Sequence, residues 1–223
     1  MFMSKIVLIT GGSIGIGRAT CFEFAKAGYR VVFSYYKDIE EARKVEEECI
    51  RYGAKDVFSY YLNLMEDDSI KKFASEVVGR FGKIDVLINN AGVIAWKRLE
   101  EQSFDEITSQ VRVNLEGLIK ITKIFLPYVR EMIVNVSSGA GKVGFAELTA
   151  YCATKFGVRG FTQALAKELD NIKVVVVNPD MTQTRMTNFS GRPPEEVAKV
   201  IFNVVENKIR VSSGEDVDVW RYV

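Results

Sequence analysis

Apolar residues along this chain follow two alternating rhythms. Short β-branched runs at Lys5–Thr10, Arg30–Tyr35, Asp56–Leu62, Ile84–Asn89, Met132–Ser137 and Ile172–Asn178 predict strands. Several are continuous in Val, Ile and Leu, as expected of parallel strands covered on both faces. Longer amphipathic stretches between them predict helices at Gly15–Ala27, Glu40–Tyr52, Asp67–Phe81, Phe104–Val129 and Thr149–Leu169. A further helix is expected from Pro193-Pro194-Glu195, since proline suits a first turn, and a last short strand at Val217–Trp220. This alternation predicts an α/β fold: a doubly wound, mainly parallel sheet with right-handed crossovers and helices on both faces. No internal repeat, low-complexity tract or linker interrupts it, so residues 1–223 read as one domain. Ligands of such sheets bind beyond the carboxyl ends of the strands, where strand order reverses. The segments that follow the strands are therefore where chemistry is expected.

Composition removes several classes of function. Hydrophobic residues make up 48% of the 223 residues and charged residues 26%, ordinary for a soluble globular protein. A net charge of +1 gives no strong field for nucleic acid or an anionic membrane, so neither is expected as a partner. No apolar run is long enough to span a bilayer. The apolar opening Met1–Thr10 stops at Gly11-Gly12 without a small-residue cleavage site, and reads as a first strand rather than a signal peptide. Cys21, Cys49 and Cys152 are odd in number and widely spaced, which fits reduced thiols in a cytoplasmic protein. The chain has no histidine. His-based triads and His-ligated metal sites are excluded, no metal is expected, and proton transfer falls to a carboxylate, cysteine, tyrosine or lysine.

Five features after the strands carry candidate chemistry. Thr10-Gly11-Gly12-Ser13-Ile14-Gly15-Ile16-Gly17 lies between the first strand and first helix. Its glycines permit a tight turn and close approach to a pyrophosphate, which the helix amino terminus attracts. Asn89-Asn90-Ala91-Gly92 follows the fourth strand; its small residues leave room for a ring or ribose, its amides can tie strands together, and an ordinary turn reads the same way. Tyr151 and Lys155 share one helix face at i and i+4, where a positive charge is expected to favour phenolate and lower the tyrosine pKa. Ser138, ending the fifth strand, is placed either to donate to a carbonyl oxygen or simply to make a turn. Asn114 is an unusual residue inside a long helix, explained by a helix irregularity holding water or by a polar surface position.

Taken together in order and spacing, these residues resemble the short-chain dehydrogenase/reductase family, single-domain branch, over almost the whole chain. The resemblance implies a Rossmann-type sheet of about seven parallel strands. It implies an NAD(P)-dependent enzyme that interconverts a carbonyl and an alcohol by hydride transfer, the protein supplying orientation and electrostatics. Tyr151 is implied as the acid/base and Lys155 as the ligand of the nicotinamide ribose that depresses the tyrosine pKa. Ser138 would orient the substrate oxygen and Asn114 hold water in a proton relay. Gly11, Ser13, Ile14, Gly15, Ile16 and Gly17 are implied at the cofactor phosphates. Asn90, Ala91 and Gly92 would line the cleft, Asn63 and Leu64 flank the adenine, and Pro179 and Thr184 approach the nicotinamide amide. The resemblance also implies a homodimer or homotetramer through the helices at Phe104–Val129 and Thr149–Leu169, with Phe145 and Phe161 as candidate contacts.

Departures from the family pattern carry information of their own. Tyr35 stands where an acidic residue would bind a free ribose 2′-hydroxyl, and Lys37 is placed to neutralise a 2′-phosphate. Ile14 occupies a loop position where NADP-preferring relatives often carry a base, yet the balance favours NADP over NAD. Asp180 replaces the usual glycine after Pro179, as a structural residue or one facing the substrate. The segment from Thr184 to Pro193 is a short lid, implying an open site or one completed by a neighbouring subunit. Val217, Val219 and Trp220 are candidates for a subunit contact. The alternative of another class, a catalytically idle dinucleotide-binding sensor or scaffold, needs only the cofactor cleft and not the set Asn114, Ser138, Tyr151 and Lys155.

Overall fold

The structure, a computed structural model, describes residues 4–223; Met1, Phe2 and Met3 of the apolar opening lie outside the described residues. Seven strands form one sheet: β1 (Ile6–Ile9), β2 (Arg30–Tyr35), β3 (Asp56–Tyr61), β4 (Ile84–Asn89), β5 (Val129–Val136), β6 (Lys173–Asn178) and β7 (Asp216–Asp218). All pairs are parallel, in the order β3-β2-β1-β4-β5-β6-β7, as the alternating pattern predicts. Leu8 sits in register with Val32 on one side and Leu87 on the other.

Side-chain alternation decides which helix covers which face. Val7, Ile9, Val31, Phe33, Ile88 and Val134 bury against α1 (Gly15–Lys26), α2 (Ile39–Tyr52) and α7 (Pro194–Val205). Leu8, Val32, Leu87 and Ile133 bury against α3 (Asp67–Phe81), α5 (Leu118–Phe125) and α6 (Thr149–Glu168). With both faces covered, the central strands read as unbroken apolar runs. Helix ends obey local rules: α2 stops at Gly53, whose φ of 104° is in the left-handed region that favours glycine. The helix α4 (Phe104–Val111) starts at a reciprocal cap between Ser103 and Glu106.

The single helix expected at Phe104–Val129 is broken instead. After α4 comes a widened π-helical turn, Arg112–Gly117, then α5, which ends at Phe125. The apolar rhythm runs on through Leu115, Leu118 and Ile121, so periodicity hides the widened turn. The early end follows from Pro127, which has no N–H to continue the ladder, although Leu126 before it still has helical backbone. Strand β5 accordingly begins at Val129 rather than Met132. At the tail, β7 covers Asp216–Asp218, and Val219–Arg221 form a 3-10 turn rather than more strand. Val217, in β7, and Val219, in the 3-10 turn, are buried in the core with residues of α7 rather than at a subunit contact.

Candidate active site

Strand order reverses between β1 and β4, so the loops that leave them part and open a crevice. The loops are tied together at its base. Thr10 Oγ1 accepts from the amides of Asn90 (3.0 Å) and Ala91 (3.1 Å). Asn90 Nδ2 returns bonds to the carbonyls of Thr10 and Gly11, both at 3.0 Å. Ser34 Oγ, from β2, takes the Gly11 N–H at 3.0 Å. Gly17 lies beneath this turn, where an added Cβ would stand 2.0 Å from the Gly11 oxygen. No side chain caps α1 and no acidic residue sits in its first turn, so its orphan N–H groups and partial positive charge are offered to the cleft. That is a cradle suited to a pyrophosphate.

A cleft of about 1350 Å³ runs from this turn to the catalytic candidates. Gly11, Ser13, Ile14, Gly15 and Ile16 line it at the turn, and Tyr35, Lys37, Asn63 and Leu64 at one end. Asn90, Ala91 and Gly92 form its floor; Ser138, Tyr151, Lys155, Pro179 and Thr184 complete the far side. Gly17 and Asn114 stand behind the wall rather than in it. The buried Asn114 sits in the π-helical turn. Its Oδ1 accepts from Val93 N (2.7 Å), and its Nδ2 donates to Val93 O (2.8 Å) and Thr154 Oγ1 (3.2 Å). The helix irregularity is real, and the amide it holds is engaged by protein on both ends. Asn114 thereby fixes the segment after β4 against α6.

Tyr151 and Lys155 project from α6, both buried, toward the end of β5. Lys155 Nζ donates to the Val136 carbonyl at 3.0 Å and lies 5.6 Å from the Tyr151 ring centroid. Ser137 Oγ bonds the Lys155 carbonyl (2.9 Å), pinning strand to helix, and Ser138 Oγ accepts from Ala140 N (3.1 Å). Burial pushes the Tyr151 phenol up to about 12, with the Ser138 hydroxyl acting in the opposite direction. Burial pulls the Lys155 ammonium down to about 8. Burial is the largest influence on both groups in this structure. The Lys155 ammonium is anchored on the Val136 carbonyl, and removal from water disfavours the charged form of each group.

Beyond β6, the Asp180 carboxylate clasps the Arg192 guanidinium, with Nη2 to Oδ2 at 2.7 Å, and Arg192 also meets Glu196 at 2.8 Å; Asp180 lines the cleft as well, so its structural role and its place facing the substrate coexist. Thr182 and Arg192 pair as a short bridge inside this clasp, and Arg185–Thr187 make a 3-10 turn above it. The short lid is thus a closed loop held at its base. Phe145, expected as an exposed contact, is 53% exposed, whereas Phe161 is packed against the core. Several cleft residues escaped the sequence reading. Arg18, Asp38 and Arg185 lie near Lys37, with Arg185 bonded to Asp38 at 3.2 Å, and Trp96 and Glu147 line the opposite end. Arg18 is in the first turn of α1 and Arg185 in the 3-10 turn, while Asp38, Trp96 and Glu147 sit in loops, where no periodicity marks them.

Comparison with known proteins gives one consistent picture. Residues 5–194 match the family model described as short chain dehydrogenase. The 3-oxoacyl-(acyl-carrier-protein) reductase FabG of Thermotoga maritima is 35% identical over 240 residues, spanning 96% of this chain and 96% of that protein. Its namesake from Staphylococcus aureus is 37% identical over 197 residues, 84% of this chain and 78% of that one. A short chain dehydrogenase from Burkholderia cenocepacia, solved in complex with NADP, superposes with a TM-score of 0.88 at 26% identity, covering 96% of this chain and 95% of that one. An alcohol dehydrogenase from the archaeon Thermococcus sibiricus, complexed with 5-hydroxy-NADP, gives 0.88 at 26% identity over 97% and 96% of the two chains.

Proposed function

The chain belongs to the short-chain dehydrogenase family and is an NAD(P)-dependent oxidoreductase, and we propose that it reduces a carbonyl compound with NADPH, Tyr151 delivering the proton. The observation that carries this reading is the meeting of Tyr151, Lys155 and Ser138 at one end of a cleft whose other end is an uncapped helix terminus. The uncapped terminus and the glycine turn fit a dinucleotide pyrophosphate. Bound there, the cofactor supplies hydride to the carbonyl carbon. Tyr151 Oη gives its proton to the carbonyl oxygen as charge develops on it. Ser138 Oγ accepts from Ala140 N and keeps a proton of its own, which it would turn from Tyr151 to that oxygen. Lys155, oriented by Val136 O, holds the nicotinamide ribose with its remaining protons. Asn114 acts by fixing Val93 and the loop floor, and a water held there for a proton relay belongs to the same reading.

Cofactor choice rests on charge at the adenosine end. No carboxylate stands at Tyr35, Lys37 and Arg18 border the cleft, and Asp38 is engaged by Arg185. We therefore infer a preference for NADP over NAD, in line with the NADP found on structural relatives. Fluorescence titration of the purified protein is expected to give NADPH at least about tenfold tighter binding than NADH, about 1.4 kcal/mol. Equal binding would reject the role of Lys37 and Arg18, and no binding of either would reject the cleft as a cofactor site.

The shifted groups also set a direction and a pH window. With its phenol raised to about 12, Tyr151 keeps its proton at neutral pH and is poised as an acid. Lys155 is charged below about 8 and loses that charge as pH rises through it. Reduction at limiting NADPH is therefore expected to be level below about pH 8 and to fall above it. A profile level up to about 10, the ordinary lysine range, would contradict a depressed Lys155.

The reading takes residues 1–223 as one catalytic domain. Buried, unpaired Cys21, Cys49 and Cys152 fit the reducing cytoplasm. No helix among the described residues is long and apolar enough to cross a membrane. Exposed Val111 and Ile119 on α4–α5, and Phe156 on α6, support a homodimer or homotetramer through these helices.

A further inference from the structure

The substrate end of the cleft has a charge pattern that bears on what enters it. Three segments frame this end: residues 91–103 after β4, 138–148 after β5 and 179–192 after β6. Their apolar contribution is large: Ile94, Trp96, Phe145, Leu148, Met186 and Phe189 all line the cleft, and Ile94, Leu148 and Met186 pack with Tyr151. Among the described residues, every cation on these segments is neutralised by a carboxylate. Lys97 meets Glu106 at 2.6 Å, Arg98 meets Glu100 at 2.7 Å and Lys142 meets Asp218 at 2.7 Å. Arg185 meets Asp38 at 3.2 Å, and Arg192 is clasped by Asp180. The carboxylates are not balanced in the same way. Glu100 and Asp180 are partners in those pairs, and Glu101 bonds the Arg98 backbone amide at 3.2 Å. Glu147 has no cation. Its Oε2 accepts from Trp96 Nε1 at 3.0 Å, and its backbone oxygen accepts from Lys97 N at 3.0 Å. Those two bonds fix it in the cleft wall.

We propose that this end selects apolar carbonyl compounds that are neutral or positively charged, with Glu147 as the specificity-determining residue, and that it disfavours anionic substrates, including the phosphate-bearing thioesters of phosphopantetheine. The inference rests on the carbonyl-reductase reading above. A carboxylate attracts a cation and repels an anion, and one held by an indole N–H rather than by a cation keeps its charge uncompensated. A phosphopantetheine arm brings its phosphate to the rim of the site it enters. Here that rim offers it no unpaired cation among the described residues, only Glu147 and cations already bound to carboxylates. A neutral aryl or alkyl ketone meets none of this repulsion and gains from Trp96, Phe145 and Phe189. The substrate would thereby differ from the acyl-carrier-protein thioester in the names of the FabG relatives.

The test is a matched series: one aryl alkyl ketone unsubstituted, the same ketone with a distal trimethylammonium, the same with a distal carboxylate, and 3-oxobutanoyl-CoA as the phosphopantetheine thioester. NADPH-supported kcat/KM is measured for each at low and at high salt, in the native enzyme and in Glu147→Gln. The expected order is ammonium at or above neutral, with the carboxylate lower by roughly fivefold at low salt and the thioester lowest. High salt should compress the series, and Glu147→Gln should compress the ammonium-to-carboxylate ratio. The proposal is overturned if the thioester or the carboxylate equals the neutral ketone at low salt, or if salt leaves the order untouched. A ratio unchanged in a folded Glu147→Gln enzyme would also overturn it. Turnover of the thioester alone overturns the specificity and leaves the reductase reading intact. No turnover of any member, with NADPH still bound, overturns both.

Discussion

Replacing Tyr151 by Phe is expected to lower kcat/KM for carbonyl reduction by about a thousandfold while NADPH affinity changes by less than about twofold. The size follows from what the substitution removes. Reduction leaves charge on the former carbonyl oxygen, and in this cleft the buried phenol is the group placed to give it a proton. Ser138 still donates a hydrogen bond, which is why some activity should survive. The ring itself stays packed against Ala140, Leu148 and Cys152, so the fold and the cleft wall are kept. Binding belongs to other residues: the glycine turn, Lys155 and the adenosine end. Kinetics alongside a fluorescence titration of the same preparation separates the two effects. A Phe variant retaining more than about a tenth of native kcat/KM would remove Tyr151 as the proton donor.

Gly17→Ala is expected to weaken NADPH binding by at least about a hundredfold, or about 2.7 kcal/mol, and to destabilise the fold by roughly 1–3 kcal/mol. The new methyl would stand 2.0 Å from the Gly11 oxygen and 2.6 Å from Asn90 Nδ2. Neither neighbour is a flexible side-chain tip. Asn90 Nδ2 bonds the very carbonyl that would have to move, and the same asparagine ties β1 to β4. Relief of the clash therefore opens the turn that presents the α1 terminus to the cleft. Gly79→Ala provides the comparison, because an added Cβ there meets nothing within 4 Å inside α3. That change is expected to be neutral or to stabilise by about 0.5–1 kcal/mol. Thermal unfolding and titration of both variants give the check; native binding by Gly17→Ala would show that the turn does not need its close approach.

The legible parts of this molecule are those governed by local chemistry. Unbroken Val and Ile runs mark strands buried on both faces, and the glycines of Gly11–Gly17 mark a turn where backbone must approach backbone. The i and i+4 spacing of Tyr151 and Lys155 puts them on one side of α6. Asn114 is legible as an anomaly, since asparagine is costly in a helix unless something engages it. Its partners, Val93 and Thr154, are 21 and 40 residues away, so the sequence does not reveal them. Long-range pairing likewise hides Arg185 and Asp38, which meet across 147 residues. The protonation of Tyr151 is hidden for a related reason. Spacing reports the nearby charge, but not the burial of both groups, and burial is the larger effect. Pro127 was a readable stop signal that the apolar rhythm around it overrode.

The most direct test of the account is a single turnover with NADPH deuterated at the transferable C4 position and a neutral ketone, followed by mass spectrometry of the alcohol. The account predicts one deuterium on the former carbonyl carbon in the native enzyme, and almost no product in Tyr151→Phe with the labelled cofactor still bound. Bound cofactor with no label in any alcohol formed by the native enzyme would contradict it.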